Sequence, residues 1–328
     1  MRILAAIRGW IGNTALAALL LWAAPVWASA GLVFAVAKVP LSLPVYVAEA
    51  EGYFKAEKLD LKIVDCEIGR QCLERLLDGK AQLATTAASP IVFASLRGAK
   101  FSILATIANT QTFNRIVTRR SLGIATVADL RNKRVGTFQG TSAHYFLELS
   151  LLAAGVDPSS VTIVPIQPGG APQSLASGET DAVAVFEPFT FDVIDALGSQ
   201  ALVLPSRRLV TDTWSIVVAK SLDGQREADL QRLCRALDRA IQFAADNPER
   251  ARTIFQARLG LDRAAFDRTW RDINFDIELR QSLITGLEGQ ARWAIRQGHV
   301  TGTVPNFLDY VRPDPLARVR AGAVSVVR

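Results

Sequence analysis

The chain has 328 residues, 50% of them hydrophobic and 21% charged, with a formal net charge of +6. That length accommodates one large or two medium α/β domains, and so small a charge excess gives no case for a nucleic-acid partner. Its three cysteines form no CxxC and, with only two histidines, no Cys/His cluster at metal-ligand spacing, so neither a metal nor a cofactor is expected.

Residues 1–30 read as an export leader, with Arg2 and Arg8 at a positive start, an apolar middle over 14–24, and Ala28-Ser29-Ala30 as a small-residue cleavage site before Gly31. The competing reading is a retained anchor, because residues 11–30 carry no charge and approach spanning length. Pro25 and the Ala-Ser-Ala end favour cleavage, and no cysteine lies near the cut to carry a lipid. Loss of the two leader arginines takes the charge from +6 to +4. In an oxidising compartment Cys66 and Cys72 are placed to bridge; the alternative is a pair of reduced, partly buried thiols.

After the leader, residues 32–39 predict a buried strand, 45–53 a helix, 59–64 an alternating strand, 71–77 a helix, 82–85 a strand, 89–96 a helix and 101–107 a strand. Strands alternating with short helices imply a largely parallel sheet covered on both faces. A second such block follows Arg119-Arg120, with strands at 161–166 and 182–185 and a short helix at 172–176. Residues 112–118 read as the connection out of the first block, and 214–219 as a strand crossing back. The domains expected are thus 31–115 with 216–328, and 116–215. From Ala228 the chain reads as helical, with Leu230, Leu233, Leu237, Ile241 and Ala245 on one face, and with Asn247 and Pro248 as N-cap and first residue of the next helix.

Within the second block, Gly136-Thr137-Phe138-Gln139-Gly140-Thr141-Ser142-Ala143-His144-Tyr145-Phe146-Leu147 runs from strand through a glycine-punctuated loop into a helix. Gly140 permits left-handed backbone, Thr141 or Ser142 is a suitable N-cap, and the first helical amides point outward at the positive end of the helix dipole. Such a loop is a ready anion site; the plain alternative is an ordinary capped helix start.

The segments 43–54 (LPVYVAEAEGYF), 136–147, 154–157 (AGVD), 178–189 (GETDAVAVFEPF) and 247–249 (NPE) extend over nearly the whole chain after the leader. In order and spacing the chain resembles periplasmic substrate-binding proteins of ABC importers, in the sulfonate, taurine and nitrate branch of the NMT1/THI5-like superfamily. The resemblance implies a two-lobed type II binding fold, each lobe a mainly parallel sheet flanked by helices, with the ligand cleft at the hinge. It also implies a monomer that closes around a small organic anion in the periplasm and docks on a permease in the inner membrane. Pocket segments of that family fall here on 40–43, 67–71, 86–89, 106–109, 140–144 and 186–187. Two departures stand out. Family members carry a small or glycine-rich turn where this chain has Cys66-Glu67-Ile68-Gly69-Arg70-Gln71-Cys72, and the cysteine-rich motif of the pyrimidine-synthase relatives is absent.

The candidate ligand-binding residues are therefore Ser42, Leu43, Arg70, Gln71, Ala88, Ser89, Asn109, Thr141, Ser142, His144, Glu187 and Trp214. Thr141 and Ser142 offer hydroxyls and amides to an oxyanion, and Arg70 a planar counter-charge able to grip it in two places. His144 either donates to the anion or packs within its own turn. Glu187 either receives an amine or is a hinge or surface carboxylate, and Trp214 either walls the cleft or is hinge core. Alternatives to anion delivery are a pyrimidine or other neutral aromatic solute, and a ligand-sensing partner of a membrane receptor. An enzyme on the same fold is disfavoured, because no Gly-x-Ser-x-Gly or HExxH motif is present.

Overall fold

The computed structural model describes residues 31–327 apart from Asp223 and Gln225, so the leader reading lies outside the described residues. The first block runs β1 (Leu32–Ala37), α1 (Leu43–Ala50), α2 (Tyr53–Ala56), β2 (Leu61–Cys66), α3 (Gly69–Leu77), β3 (Leu83–Ala87), α4 (Ala88–Leu96) and β4 (Phe101–Thr110). The expected helix at 45–53 is divided because Gly52 takes φ 72°, a left-handed conformation that ends α1 and starts α2.

The second block comprises β5 (Asn114–Arg119), β6 (Arg134–Thr137), α5 (Ser142–Ala153), β7 (Thr162–Pro165), α6 (Ala171–Ala176), β8 (Ala182–Phe186), α7 (Phe189–Leu197) and β9 (Ala201–Val203). The chain then returns through β10 (Asp212–Ala219) and finishes with α8 (Glu227–Asp246), α9 (Pro248–Leu259), α10 (Arg263–Trp270), β11 (Ile273–Asn274), α11 (Gln281–Arg296) and α12 (Asp314–Val319).

Two sheets result, ordered β11-β4-β10-β3-β1-β2 and β7-β6-β8-β5-β9. The pairs β1/β2, β1/β3, β6/β7 and β6/β8 are parallel, as the strand–helix alternation requires. The strands joining the two blocks run the other way. β10 lies antiparallel between β3 and β4, and β5 antiparallel between β8 and β9, so both sheets are mixed. The expected connection at 112–118 is in fact β5, whose Ile116 and Val117 are buried in the second sheet.

β1, β3 and β8 are buried almost throughout, as strands covered on both faces must be. The second sheet has its own apolar cluster of Ile116, Val135, Leu147, Leu151, Ala182 and Ala184. On α8 the expected face is buried at Leu230, Leu233, Leu237 and Ile241, each side chain contributing about 1.5–3 kcal/mol by leaving water, whereas Ala245 is exposed and Ala244 takes its place. Asn247 occupies the N-cap position of α9, but its Nδ2 donates to the Phe243 carbonyl at 3.0 Å. It therefore closes α8 and does not cap α9.

Cys66 at the end of β2 and Cys72 in α3 form a disulfide, with their Cα atoms 5.7 Å apart. Cys234 is a free buried thiol, pushed up to about 12 by its burial. The closed loop is short, so replacing both bridge cysteines by serine should cost about 2 kcal/mol in denaturant unfolding. Alkylation of the unfolded chain should label one thiol before reduction and three after. Labelling of three without reduction would refute the bridge.

Candidate functional site

The carboxyl ends of β3, β6 and β8 deliver their loops to the gap between the two sheets, where open α/β sheets take ligands. Ile68, Gly69, Arg70, Ala87, Pro90 and Trp214 meet Phe113, Thr141, Ser142 and Phe186 there, around a cavity of about 10 Å³. That is room for one water. The cleft is shut upon its own walls.

Trp214 organises the first wall. Its ring is buried, and its indole Nε1 donates to Ser42 Oγ at 3.0 Å. A Cβ on Gly69 would come within 2.7 Å of Trp214 Cη2 and 2.9 Å of Thr86 Cα. The glycine in the unusual 66–72 turn is thus a close-approach residue that lets the indole lie against the start of α3. Leu43 is buried behind Ser42. Arg70 reaches the cavity; its guanidinium has only a loose partner in Glu74 at 3.8 Å, and its Nε is buried without one.

The opposite wall is the start of α5. Gly140 has φ 76°, and Thr141 holds the N-cap position without capping, because its hydroxyl donates to the Phe138 carbonyl at 2.6 Å. No side chain caps the helix, so its first amides keep their outward positive field. Ser142 Oγ donates to Asn114 Oδ1 at 3.4 Å, while Asn114 Nδ2 donates to Asp212 Oδ2 at 2.7 Å. Asn114 and Asp212 are buried residues linked to Ser142 behind the cleft wall, and sequence reasoning missed them. A polar residue just before a strand reads as a turn, and only the pairing of β5 and β10 with their sheets encloses these two.

The other candidates are dispersed. Gln71 turns outward to Glu67, accepting from its backbone N–H at 3.1 Å, and lines none of the cavities described. Ala88 and Asn109 border a separate cavity of about 480 Å³ with Tyr145, Glu278 and Arg280. Ser89 donates to Gln290 Oε1 at 2.7 Å. Glu187 lies in a third cavity of about 140 Å³ beside Arg115 and Arg268, where burial pushes its carboxyl up to about 8. His144 faces a groove of about 690 Å³ that shares Arg70 and Pro90 with the cleft and adds Gln139, Gly140 and His299. On the same helix, Glu148 accepts from Trp293 Nε1 at 2.8 Å and lies 2.9 Å from His299 Nε2.

The family model described as NMT1/THI5 like matches residues 40–251, which include both walls of the cleft. The chain belongs to the NMT1/THI5-like family. A Bacillus subtilis relative named for aliphatic sulfonate binding is 21% identical over 233 residues, covering 70% of each chain. Among solved structures, the periplasmic aliphatic sulphonate binding protein SsuA from Escherichia coli superposes with TM-score 0.73 at 19% identity, over 85% of this chain and 97% of that one. The alkanesulfonate-binding protein SsuA from Xanthomonas axonopodis pv. citri, bound to MOPS, gives 0.74 at 20% identity, over 87% and 99%. The desulfurization enzyme DSZB has TM-score 0.67 at 18% identity, over 89% and 99%. These likenesses establish the periplasmic-binding-protein fold read from the sequence.

In this NMT1/THI5-like chain the hydrogen-bonded group behind Ser142 has one further electrostatic property. Burial, against the hydrogen bonds of Ser142 and Asn114, pushes the Asp212 carboxyl up to about 7 from an ordinary value of 3.8. Between about pH 4 and pH 7 the folded state therefore binds more protons at this residue than the unfolded state, and its contribution to stability falls as pH rises through that window. Asp212→Asn should flatten this part of the stability–pH curve, measured by urea unfolding at several pH values. An unchanged slope would show that Asp212 titrates normally.

Proposed function

We propose that this protein is an extracytoplasmic solute-binding protein that delivers a small organic anion of the sulfonate, taurine or carboxylate class to an ABC importer. The observation that carries the reading is the juxtaposition of an uncapped α5 N-terminus with the under-partnered Arg70 guanidinium across the closed gap. Dipole and guanidinium together suit a single oxyanion, and the apolar Trp214, Phe113 and Phe186 suit its organic tail. The relatives named for sulfonate binding support the same class.

Small-molecule pockets are usually about 300–1,000 Å³, so the shut cleft must open to receive a solute. Two crossings between the sheets, near residues 110–114 and 203–212, provide a hinge for that movement. On this reading the mature chain works in the periplasm as a monomer, needs no cofactor, and presents its closed form to a membrane permease. We place the lobes at 31–113 with 212–328, and at 114–211, because the expected boundaries at 115/116 and 215/216 cut β5 and β10, each of which lies whole in one sheet. A catalytic role like that of the desulfurization enzyme is not favoured. Among the described residues the free thiol is Cys234, buried in α8 and absent from the walls of the cavities described above.

Ligand-stripped, refolded protein should gain thermal stability with alkanesulfonates or taurine, by about 2.7 kcal/mol at a hundredfold excess over Kd. A shift with pyrimidines alone, or with no solute, would overturn the anion reading. Ser142→Glu places a carboxylate at the helix start and should abolish calorimetric binding. Arg70→Ala should weaken it by about 10- to 100-fold; unchanged affinity would leave the anion to dipoles and hydroxyls.

A further inference from the structure

Where α5 packs against α11, the fold gathers polar groups that the solute reading does not use. His144 and Glu148 are four residues apart and so share one face of α5. His299 arrives from the turn after α11, 151 residues further along the chain than Glu148, which is why local spacing conceals it. Glu148 Oε1 lies 3.2 Å from His144 Nε2 and 2.9 Å from His299 Nε2. One donor atom from each residue falls within 4.8 Å of the others. His144 is 1% exposed, and its Nε2 makes no well-directed hydrogen bond despite the nearby carboxylate.

We propose that His144, Glu148 and His299 form a three-ligand site for a divalent transition metal, with zinc the ion best matched to the donors. Two imidazoles and one carboxylate are a zinc ligand set, and bonds of about 2.0–2.1 Å in a tetrahedron place ligand atoms about 3.3 Å apart. The two short separations lie near that spacing, so small side-chain movements admit the ion. Trp293 Nε1–H holds Glu148 Oε2 at 2.8 Å and thereby turns Oε1 toward both histidines, as an outer-shell partner does. Both histidines line the 690 Å³ groove, which leaves a fourth coordination position facing water.

Ligation through Nε2 moves the His144 ring proton to Nδ1. That nitrogen now accepts a 3.4 Å contact from the Gly140 N–H, so the contact must give way on metal binding. Gly140 is the left-handed turn that leads into α5. Occupancy of the metal site is therefore coupled to the backbone of the anion loop, and it ties α5 to the turn after α11.

Chelator-treated protein should be titrated with zinc or cobalt(II) alone, without solute, so that the result is independent of the sulfonate reading. One equivalent should bind by calorimetry, with a tetrahedral cobalt(II) visible band, and should be released as pH falls below the histidine range near 6.5. His299→Gln replaces a partly exposed ligand and should keep the fold, checked by circular dichroism, while weakening the metal at least about 100-fold. Trp293→Phe should cost about 10- to 100-fold. Absence of stoichiometric binding to the parent protein would overturn the site, as would affinity unchanged in His299→Gln.

Discussion

The return strand β10 is the constraint on which the rest of the molecule depends. It enters the first sheet between β3 and β4, against the direction of both neighbours, and its residues from Trp214 to Val218 are buried. This placement locks the second block into the first, because the chain is anchored by a central strand where it comes back. It also fixes the cleft, since Asp212 and Trp214 sit at the end of the strand that faces the other sheet. Trp214 is opposite Ala87 on one side and Ala108 on the other, both small, so the indole is free to extend to Ser42 and Gly69.

Much of this architecture was legible in the order of residues. Continuous apolar runs such as 32–37 and 182–186 have one outcome in a sheet covered on both faces, and α8 declares its buried face by spacing alone. The cleft walls at Ser142, Arg70 and Trp214 were legible through a family pattern and through the chemistry of a helix start. β5 was not, because Asn114 and Arg115 precede its short apolar centre and resemble a connection. Asp212 and Asn114 were invisible for a related reason: each is buried only by the pairing of its strand with a sheet, and the two meet across the sheets through one hydrogen bond. Gln71 and Glu187 had suitable chemistry and suitable neighbours in sequence, but the directions of α3 and of the turn after β8 send their side chains elsewhere.

Carboxylates in this fold show how environment sorts one chemical group into different roles. Glu148 is buried yet held down to about 2, because the His299 hydrogen bond and the close approach of the His144 ring outweigh desolvation and the indole supports the second oxygen. Asp212 is buried with neutral donors alone and rises to about 7. Glu187 rises further, since Arg115 and Arg268 only partly offset the loss of water. Hydrogen bonds made directly to the carboxylate, more than nearby charge, set the order of the three, since Glu187, beside two arginines but with Oε2 unpartnered, rises furthest.

The shut cleft has a thermodynamic consequence for recognition. On the proposed reading, a gap whose walls already touch takes no solute until it opens, so the affinity seen in solution is the intrinsic affinity multiplied by the fraction of molecules standing open. Residues that tie α5 to the other block, Trp293 and His299 among them, then help to set the working concentration range of the molecule. Selectivity and sensitivity become separable properties, one written in the cleft and the other in the seam beside it.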